Sequence, residues 1–503
     1  MINQNRKVKN DKLLFEVINS MTMNEKRYFK VFCNRHIIGG QNKYVLLFNI
    51  FQKIKSFNDK SIIESIKEHG YSLKFISSDM NYLKKILLKS LNEFHSEKTF
   101  DIKIKQQLIS IEILFYKGLY QECLELINKA KKIKLFNESN YLMLELLNWE
   151  KKCTGYSFGL IKAIGVNNSI ESCFNQIKID KEITDIYYNS YLHKNNLGKI
   201  NQAKIISDFE KLINNKLLLN RSEFASVRLN IYCNLIYSNY YHVKRDYISE
   251  LEFLNKALSY FDLNQEYKFE NPLDYVSIFI RVIDIKKIGD SNEFYLELHK
   301  LRNFDQILDL QKEVIQERIF LFTNQAELEH LLYINQFKGA ILVFENILNA
   351  IRTSKYNIEP YYYIKIYYLI ASINCAKGDF SSGLKFINTI INKYKFTDRP
   401  NVFVRAEFLN IIIHYELKNY ELVIRAIGNI KIKYKAKYEF NYFEKKILET
   451  IYKISENPHI IKEKSEFQNL YNLVKSKFSQ VEDDLLKNNY YRYIMSKTNN
   501  FKM

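Results

Sequence analysis

AKGDFSSGLKFINTI, residues 376–390, holds a short glycine-polar step, Gly378-Asp379, and then Phe380. Counted from Phe380, Leu384, Ile387, Ile391 and Tyr394 follow at +4, +7, +11 and +14. Steps of three and four place four apolar side chains on one face of a helix. The same offsets recur after Tyr247 (Leu251, Leu254, Leu258, Phe261) and after Phe337 (Ile341, Phe344, Leu348, Ile351). Turn residues of this kind are Tyr120, Ile200, Tyr247, Phe294, Phe337, Phe380 and Tyr420. The last five intervals between them are 47, 47, 43, 43 and 40 residues, and the first, 80, is about two units. A repeat of this length predicts stacked helix pairs, each unit contacting its neighbours.

Some units match in part. Phe294 keeps Leu298, Leu301 and Leu308 but has Asp305 at +11, and Tyr420 keeps Ile424, Ile427 and Tyr434 but has Lys431 there. Tyr120 keeps Leu124 and Ile127. Such weakening toward the ends is expected of capping units. Pro272, Pro360 and Pro400 precede Phe294, Phe380 and Tyr420 by 22, 20 and 20 residues. Proline suits the first turn of a helix, where its fixed φ fits and its missing N–H has no partner to lose. Each of these prolines is therefore expected to open the first helix of a pair. In the pair that starts at Pro360, Ile364, Tyr367, Ala371 and Cys375 carry the apolar stripe.

These residues resemble tetratricopeptide-like repeats. Gly378-Asp379-Phe380 is similar to that family's turn between helices, with Gly383 at its small-residue position and Ile387 at its large apolar one. YKGLYQECLELINKAKKI (116–133) offers Gly118, Tyr120, Cys123, Ile127 and Ala130 in the same places, and INQFKGAILVFENIL (334–348) offers Phe337, Ala340, Phe344 and Ile347. The family repeats about every 34 residues, whereas these units take 40 to 47, so the chain resembles a divergent, long-helix member. As a whole it resembles bacterial proteins of unassigned function that carry such repeats. The resemblance implies an all-α, right-handed α-solenoid of seven or eight antiparallel helix pairs. Residues 1–100 form a basic helical cap, 101–455 the repeats, and 456–503 capping helices with a short basic tail.

Only 13 Gly and 4 Pro occur in 503 residues, which favours helix throughout. No apolar run approaches the ~20 residues of a membrane-spanning helix, and the basic start MINQNRKVKNDKLLF lacks a signal-peptide core. The six cysteines are scattered without CxxC pairs, so a cytoplasmic chain without cofactor or metal is expected. The net charge is +19, yet 14 of the 75 basic residues are Arg; Lys solubilises, whereas Arg is favoured for bidentate phosphate recognition. Residues 1–100 carry 18 basic against 9 acidic residues, nearly half of the excess.

The chemical motifs are weak. Gly155-Tyr156-Ser157-Phe158-Gly159 matches GxSxG, but a nucleophile elbow needs a preceding strand, and a helix is expected before it; the glycines of 154–168 instead suggest the longest connection in the repeat region. Gly39-Gly40-Gln41-Asn42-Lys43 lacks phosphate-loop spacing and reads as a link between helices. Helices are predicted at Glu25–Asn34, Tyr44–Ile54, Lys60–Glu68 and Asp79–Phe94, and two amphipathic stretches at Glu463–Phe478 and Glu482–Ser496. The turn at Gly70 followed by Lys84, Lys85 and Lys89 loosely echoes a helix-turn-helix.

The expected function is a non-enzymatic scaffold that binds a peptide or helix of another protein on the concave face of the solenoid. The resemblance places Lys365, Tyr368 and Ser372, Gln325 and Glu329, and Asn239 and His242 in that groove. The alternative is a transcriptional or nucleic-acid-binding regulator that uses residues 1–100, with the repeats as effector or partner module.

Overall fold

A computed structural model describes residues 12–35, 42–54, 59–70, 75–133, 138–195, 202–219, 224–307, 311–353, 360–395, 400–434, 440, 442–476, 493–494 and 496–498. Every regular element among them is a helix. The chain divides into two compact units, Met1–Ile179 and Asp180–Met503, with the division inside one long helix.

The first unit contains α1 (12–20), α2 (Met23–Asn34), α3 (Lys43–Lys53), α4 (Asp59–Glu68), α5 (Ile76–Phe94), α6 (Phe100–Tyr116), α7 (Tyr120–Lys131), α8 (Asn140–Phe158), α9 (Leu160–Ile164) and the start of α10 (Asn167–Asn195). One apolar cluster, from Leu14 to Leu87, unites α1 to α5, and another, from Phe100 to Cys153, unites α6 to α8. Thr22 caps α2 in a reciprocal capping box with Glu25, the arrangement that satisfies two otherwise orphaned N–H groups.

The second unit continues with α11 (Gln202–Ile213), α12 (Lys216–Leu219), α13 (Val227–Lys244), α14 (Tyr247–Leu263), α15 (Gln265–Glu270), α16 (Pro272–Lys286), α17 (Ser291–Arg302), α18 (Lys312–Tyr333), α19 (Phe337–Arg352), α20 (Pro360–Ala376), α21 (Phe380–Lys393), α22 (Pro400–Glu416), α23 (Tyr420–Tyr434), α24 (Tyr442–Glu456) and α25 (Glu463–Ser476). From α13 on, consecutive helices pack on each other. The helices opened by Pro272, Pro360 and Pro400 also join a second series of contacts, α16 on α18, α18 on α20, α20 on α22 and α22 on α24.

Five of the turns are built identically. Gly118, Arg245, Asn335, Gly378 and Lys418 each have a positive φ, between 60° and 82°, and each lies two residues before Tyr120, Tyr247, Phe337, Phe380 or Tyr420. The next N–H then reaches back five positions: Leu119 to Leu114, Asp246 to Tyr241, Gln336 to Leu331, Asp379 to Asn374 and Asn419 to His414, at 2.9–3.1 Å. This is the Schellman arrangement, which satisfies the last carbonyls of one helix while turning the chain into the next.

The buried seam of the following helix lies one step from the sequence stripe. At +3, +7 and +10 stand Cys123, Ile127 and Ala130; Ala340, Phe344 and Ile347; Gly383, Ile387 and Ile390; and Val423, Ile427 and Ile430, all buried. Leu251, Ile341, Leu348, Leu384 and Ile391, at +4 or +11, are half-buried flanks, whereas Leu258 at +11 of α14 is buried.

Two expectations are corrected. Phe294 is the fourth residue of α17, not its first, because Asp290 caps the helix early by accepting the N–H groups of Asn292 and Glu293. Phe294, Leu298 and Leu301 thereby become the +3, +7 and +10 seam, all buried, and Asp305 lies beyond the helix. Segment 154–168 is not a long loop: α8 runs to Phe158, Gly159 breaks it at φ 89°, and helix resumes at Leu160. A single residue with positive φ suffices to redirect the chain. The expectations that fall on Ile200, Leu308, Gly39 to Gln41 and most of Glu482–Ser496 lie outside the described residues.

At Lys418 an L side chain occupies the left-handed region, which costs about 1–2 kcal/mol relative to glycine. Lys418→Gly should therefore stabilise the chain in urea unfolding by about 1 kcal/mol. Gly378→Ala should destabilise it by a similar amount, although a Cβ there meets nothing within 4 Å. Equal midpoints for all three proteins would contradict this reading of the turns.

Candidate functional site

The seam register exposes an anomaly. At +3 of α14, where α7, α19, α21 and α23 carry Cys123, Ala340, Gly383 and Val423, stands Glu250, 1% exposed. A buried carboxylate is stable only when it is paired and hydrogen-bonded. Arg281 of α16 donates to Glu250 Oε1 at 3.0 Å, His242 Nδ1 of α13 donates to Oε2 at 2.8 Å, and Lys194 Nζ of α10 lies 3.9 Å from Oε1. The Arg281 guanidinium also donates to Ser238 Oγ at 2.6 Å. Nearby, Asn239 donates to Ser190 Oγ at 2.9 Å, while its own Oδ1 is buried without a partner.

On α18 the motif repeats. Glu329 of α18, 1% exposed, accepts from Lys287, which follows α16, and from Lys365 of α20 at 2.9 Å, with Gln325 at 3.2 Å. Lys287 also donates to Asp284 at 2.8 Å. His330 is wholly buried and locks the same junction: Nδ1 donates to the Lys287 carbonyl at 2.6 Å, Nε2 lies 3.0 Å from Ser291 Oγ, and the ring stacks on Phe294. A line of charge thus runs from α10 across α16 and α18 to α20.

The electrostatics follow from burial opposed by pairing. Burial pushes the Glu250 carboxyl up, but the His242 hydrogen bond and the charges of His242, Lys194 and Arg281 bring it below the usual range. Burial likewise works against ionising Glu329, yet Lys287 and Lys365 hold it well below the ordinary value. Lys287 is raised, burial being outweighed by Glu329 and Asp284. Lys194 is the exception: burial and the Arg281 charge pull it down from 10.5 to about 7, although Glu250 and Asp284 oppose them. His242 is lowered by burial, against the pull of Glu250. The line holds three carboxylates, Glu250, Asp284 and Glu329, against four cations, Lys194, Arg281, Lys287 and Lys365. Lys194 is the cation least compensated.

The groove residues expected from sequence fall into three groups. Lys365, Gln325 and Glu329 meet in one cluster, with Lys365 and Gln325 half-buried. Asn239 and His242 belong to the surroundings of Glu250, Asn239 fully buried and His242 half-buried. Tyr368 and Ser372 are buried in α20, where Ser372 donates to the Tyr368 carbonyl at 2.9 Å. Lys194, Glu250, Arg281 and Lys287 were not anticipated. For Glu250 the signal was available, since an acid stands in a register otherwise filled by apolar or small residues.

Lys85 and Lys89 are exposed on α5, and Lys84 is half-buried. Ser157 lies in the last turn of α8, so no strand leads into it. An open cavity of about 610 Å³ beside α18 is lined by Arg302, Thr323, Asn324 and Asn346, but Arg302 is already paired with Glu327 at 2.6 Å. Among the described residues no three His, Cys, Asp or Glu side chains gather as metal ligands, and no helix is long and apolar enough to cross a membrane. In comparison with known proteins, the chain matches no family model, and no curated protein matches it.

Because the folded-state pKa of Lys194 lies below its unfolded value, the unfolded chain binds more protons between about 7 and 10.5. Raising the pH through that window therefore stabilises the fold, and below it the full burial penalty applies. Lys194→Met should raise Tm at pH 6 by roughly 2–4 °C, corresponding to about 1 kcal/mol. That advantage should shrink steadily by pH 10. An equal loss of Tm at every pH would show that Lys194 stabilises the cluster instead.

Proposed function

We propose that this chain is a non-enzymatic scaffold, a divergent tetratricopeptide-like solenoid of antiparallel helix pairs, whose first helices line a face that receives an acidic peptide or helix of another protein. The observation that carries the reading is the row of half-buried cations on or beside successive first helices. Lys194, Arg281, Lys287 and Lys365 keep 16–21% of their side-chain surface exposed while anchoring carboxylates that are 1–2% exposed.

Such a row combines rigidity with an unmet charge. The buried carboxylates fix the lysine and arginine stems, so a partner's carboxylate meets preorganised donors and loses less to ordering. An acidic group beside Lys194 would also favour its protonated form, coupling binding to proton uptake near neutral pH. Tyr187 and Tyr232, stacked with centroids 4.3 Å apart, supply rigid contact area on the helices that carry Lys194 and His242. The other expected reading, a nucleic-acid regulator acting through residues 1–100, is supported by the exposed Lys85 and Lys89, without a grouped arginine.

The test uses a glutamate-rich amphipathic peptide and a lysine-rich peptide of equal length, titrated against the full chain by fluorescence anisotropy. The acidic peptide should bind and the basic one should not, and at pH 6 Lys194→Met should weaken binding by about tenfold without lowering Tm, because it removes a charge that the partner's carboxylate would meet. Equal binding of both peptides, or no effect of Lys194→Met, would overturn the proposal. Tight binding of duplex DNA that collapses between about 50 and 200 mM salt would favour the regulator.

A further inference from the structure

The end of α8 and the short α9 form a tip of unusual composition. Leu160, Ile161 and Ile164 are 78%, 89% and 61% exposed, and Phe158 just before them is 49% exposed. The tip is held from beneath: Ala163 is buried, with its Cβ facing Gly155. The positive φ of Gly159 lets the chain turn sharply enough to present the other three outward. Tyr156, 68% exposed, adjoins the tip and stacks on Tyr120 of the preceding helix pair. Isolated exposed apolar residues are ordinary, whereas a contiguous group marks an interaction surface.

Charge decides what kind. Between Glu150 and Glu171 the chain carries Lys151, Lys152 and Lys162 and no carboxylate. Lys162 lies 4.8 Å from the Phe158 ring centre, and Lys152, further back along α8, 4.4 Å from that of Trp149, so one cationic head lies at the tip and a second on the helix that leads to it. A second copy would bring the same positive charge, which disfavours self-association. A protein groove could accept only a complementary cleft, but side chains exposed to this degree stand on a convex point, which a fluid surface accepts without a matching shape. Aliphatic residues at the apex, aromatic residues at the shoulder and lysines beside and behind them reproduce the polarity profile of a bilayer interface.

We propose that this tip is a peripheral membrane anchor: Phe158, Leu160, Ile161 and Ile164 enter the headgroup boundary of an anionic bilayer while Lys152 and Lys162 engage the lipid phosphates. It needs no spanning helix and does not depend on the peptide face of the second unit. One apolar cluster of this size gives reversible attachment, so binding requires both the wedge and the anionic charge.

The experiment is sedimentation of the full chain with phosphatidylcholine vesicles, with and without about 30% phosphatidylglycerol, at low salt. The anchor predicts binding only to the anionic vesicles and at least about a tenfold loss for Leu160→Glu/Ile161→Glu. Both positions are exposed, and an unchanged Tm verifies that this variant is folded. Trp149, the one tryptophan of the chain, should change its emission on anionic vesicles for the parental chain and not for the variant. Absence of binding to anionic vesicles overturns the proposal. So does undiminished binding by the variant, which would assign attachment to basic surface elsewhere, and so does capture of a soluble acidic polypeptide at the tip when vesicles are not bound.

Discussion

Five times among the described residues a helix ends on a residue forced into the left-handed region, and the following amide bonds back to a carbonyl five residues earlier. That backbone event is short range, but its consequences are not. It fixes the direction in which the next helix leaves and the rotation of that helix about its own axis. The rotation determines which of its side chains are buried. Once the turn is set, +3, +7 and +10 face the preceding helix, and the apolar or small residues found there follow. At Gly383 the approach is closest: a Cβ would lie 2.9 Å from Cys375 Sγ, so the absence of a side chain is what allows α20 and α21 to meet.

The same rotation carries Glu250 into the seam. A lone buried carboxylate there would be severely destabilising, and the molecule answers with a guanidinium from α16, an imidazole from α13 and an ammonium from α10. Glu329 draws on its neighbours in the same way. Buried ion pairs contribute little net stability compared with apolar packing, because desolvation offsets attraction. What they supply is specificity: a helix slipped by one residue would leave a charge buried and unpaired. The line of charge therefore acts as a register device, and the scaffold role proposed for it uses the exposed ends of the same cations.

Much of the helix content and turn positions could be read in the sequence, because aromatic turn residues, prolines at helix starts and apolar spacing are local signals. Pro272, Pro360 and Pro400 do open helices. The centre of the buried seam was less legible. A stripe at +4, +7, +11 and +14 and one at +3, +7 and +10 share a face and differ by a fraction of a turn, and only packing against the previous helix selects between them. Phe294 was misplaced for a related reason, since an Asp cap at Asp290 replaces the left-handed turn of the other units. Lys194, Arg281 and Lys287 were not legible, because a surface lysine and one that meets a buried carboxylate look alike until helices distant in sequence are brought together. The exposed tip at Leu160 was hidden by its glycines, which read as loop, although one residue suffices to break the helix at that point.

The claim on which the account turns is that the buried Glu329 carboxylate couples α18 to the end of α16 and to α20. Its most direct test is a double-mutant cycle between Glu329 and Lys365, using Glu329→Gln, Lys365→Met and the pair, with unfolding free energies from urea titration. Because the two groups meet at 2.9 Å with the carboxylate 1% exposed, the account predicts a coupling energy of about 1.5 kcal/mol or more. Additivity of the two substitutions within about 0.5 kcal/mol would contradict it.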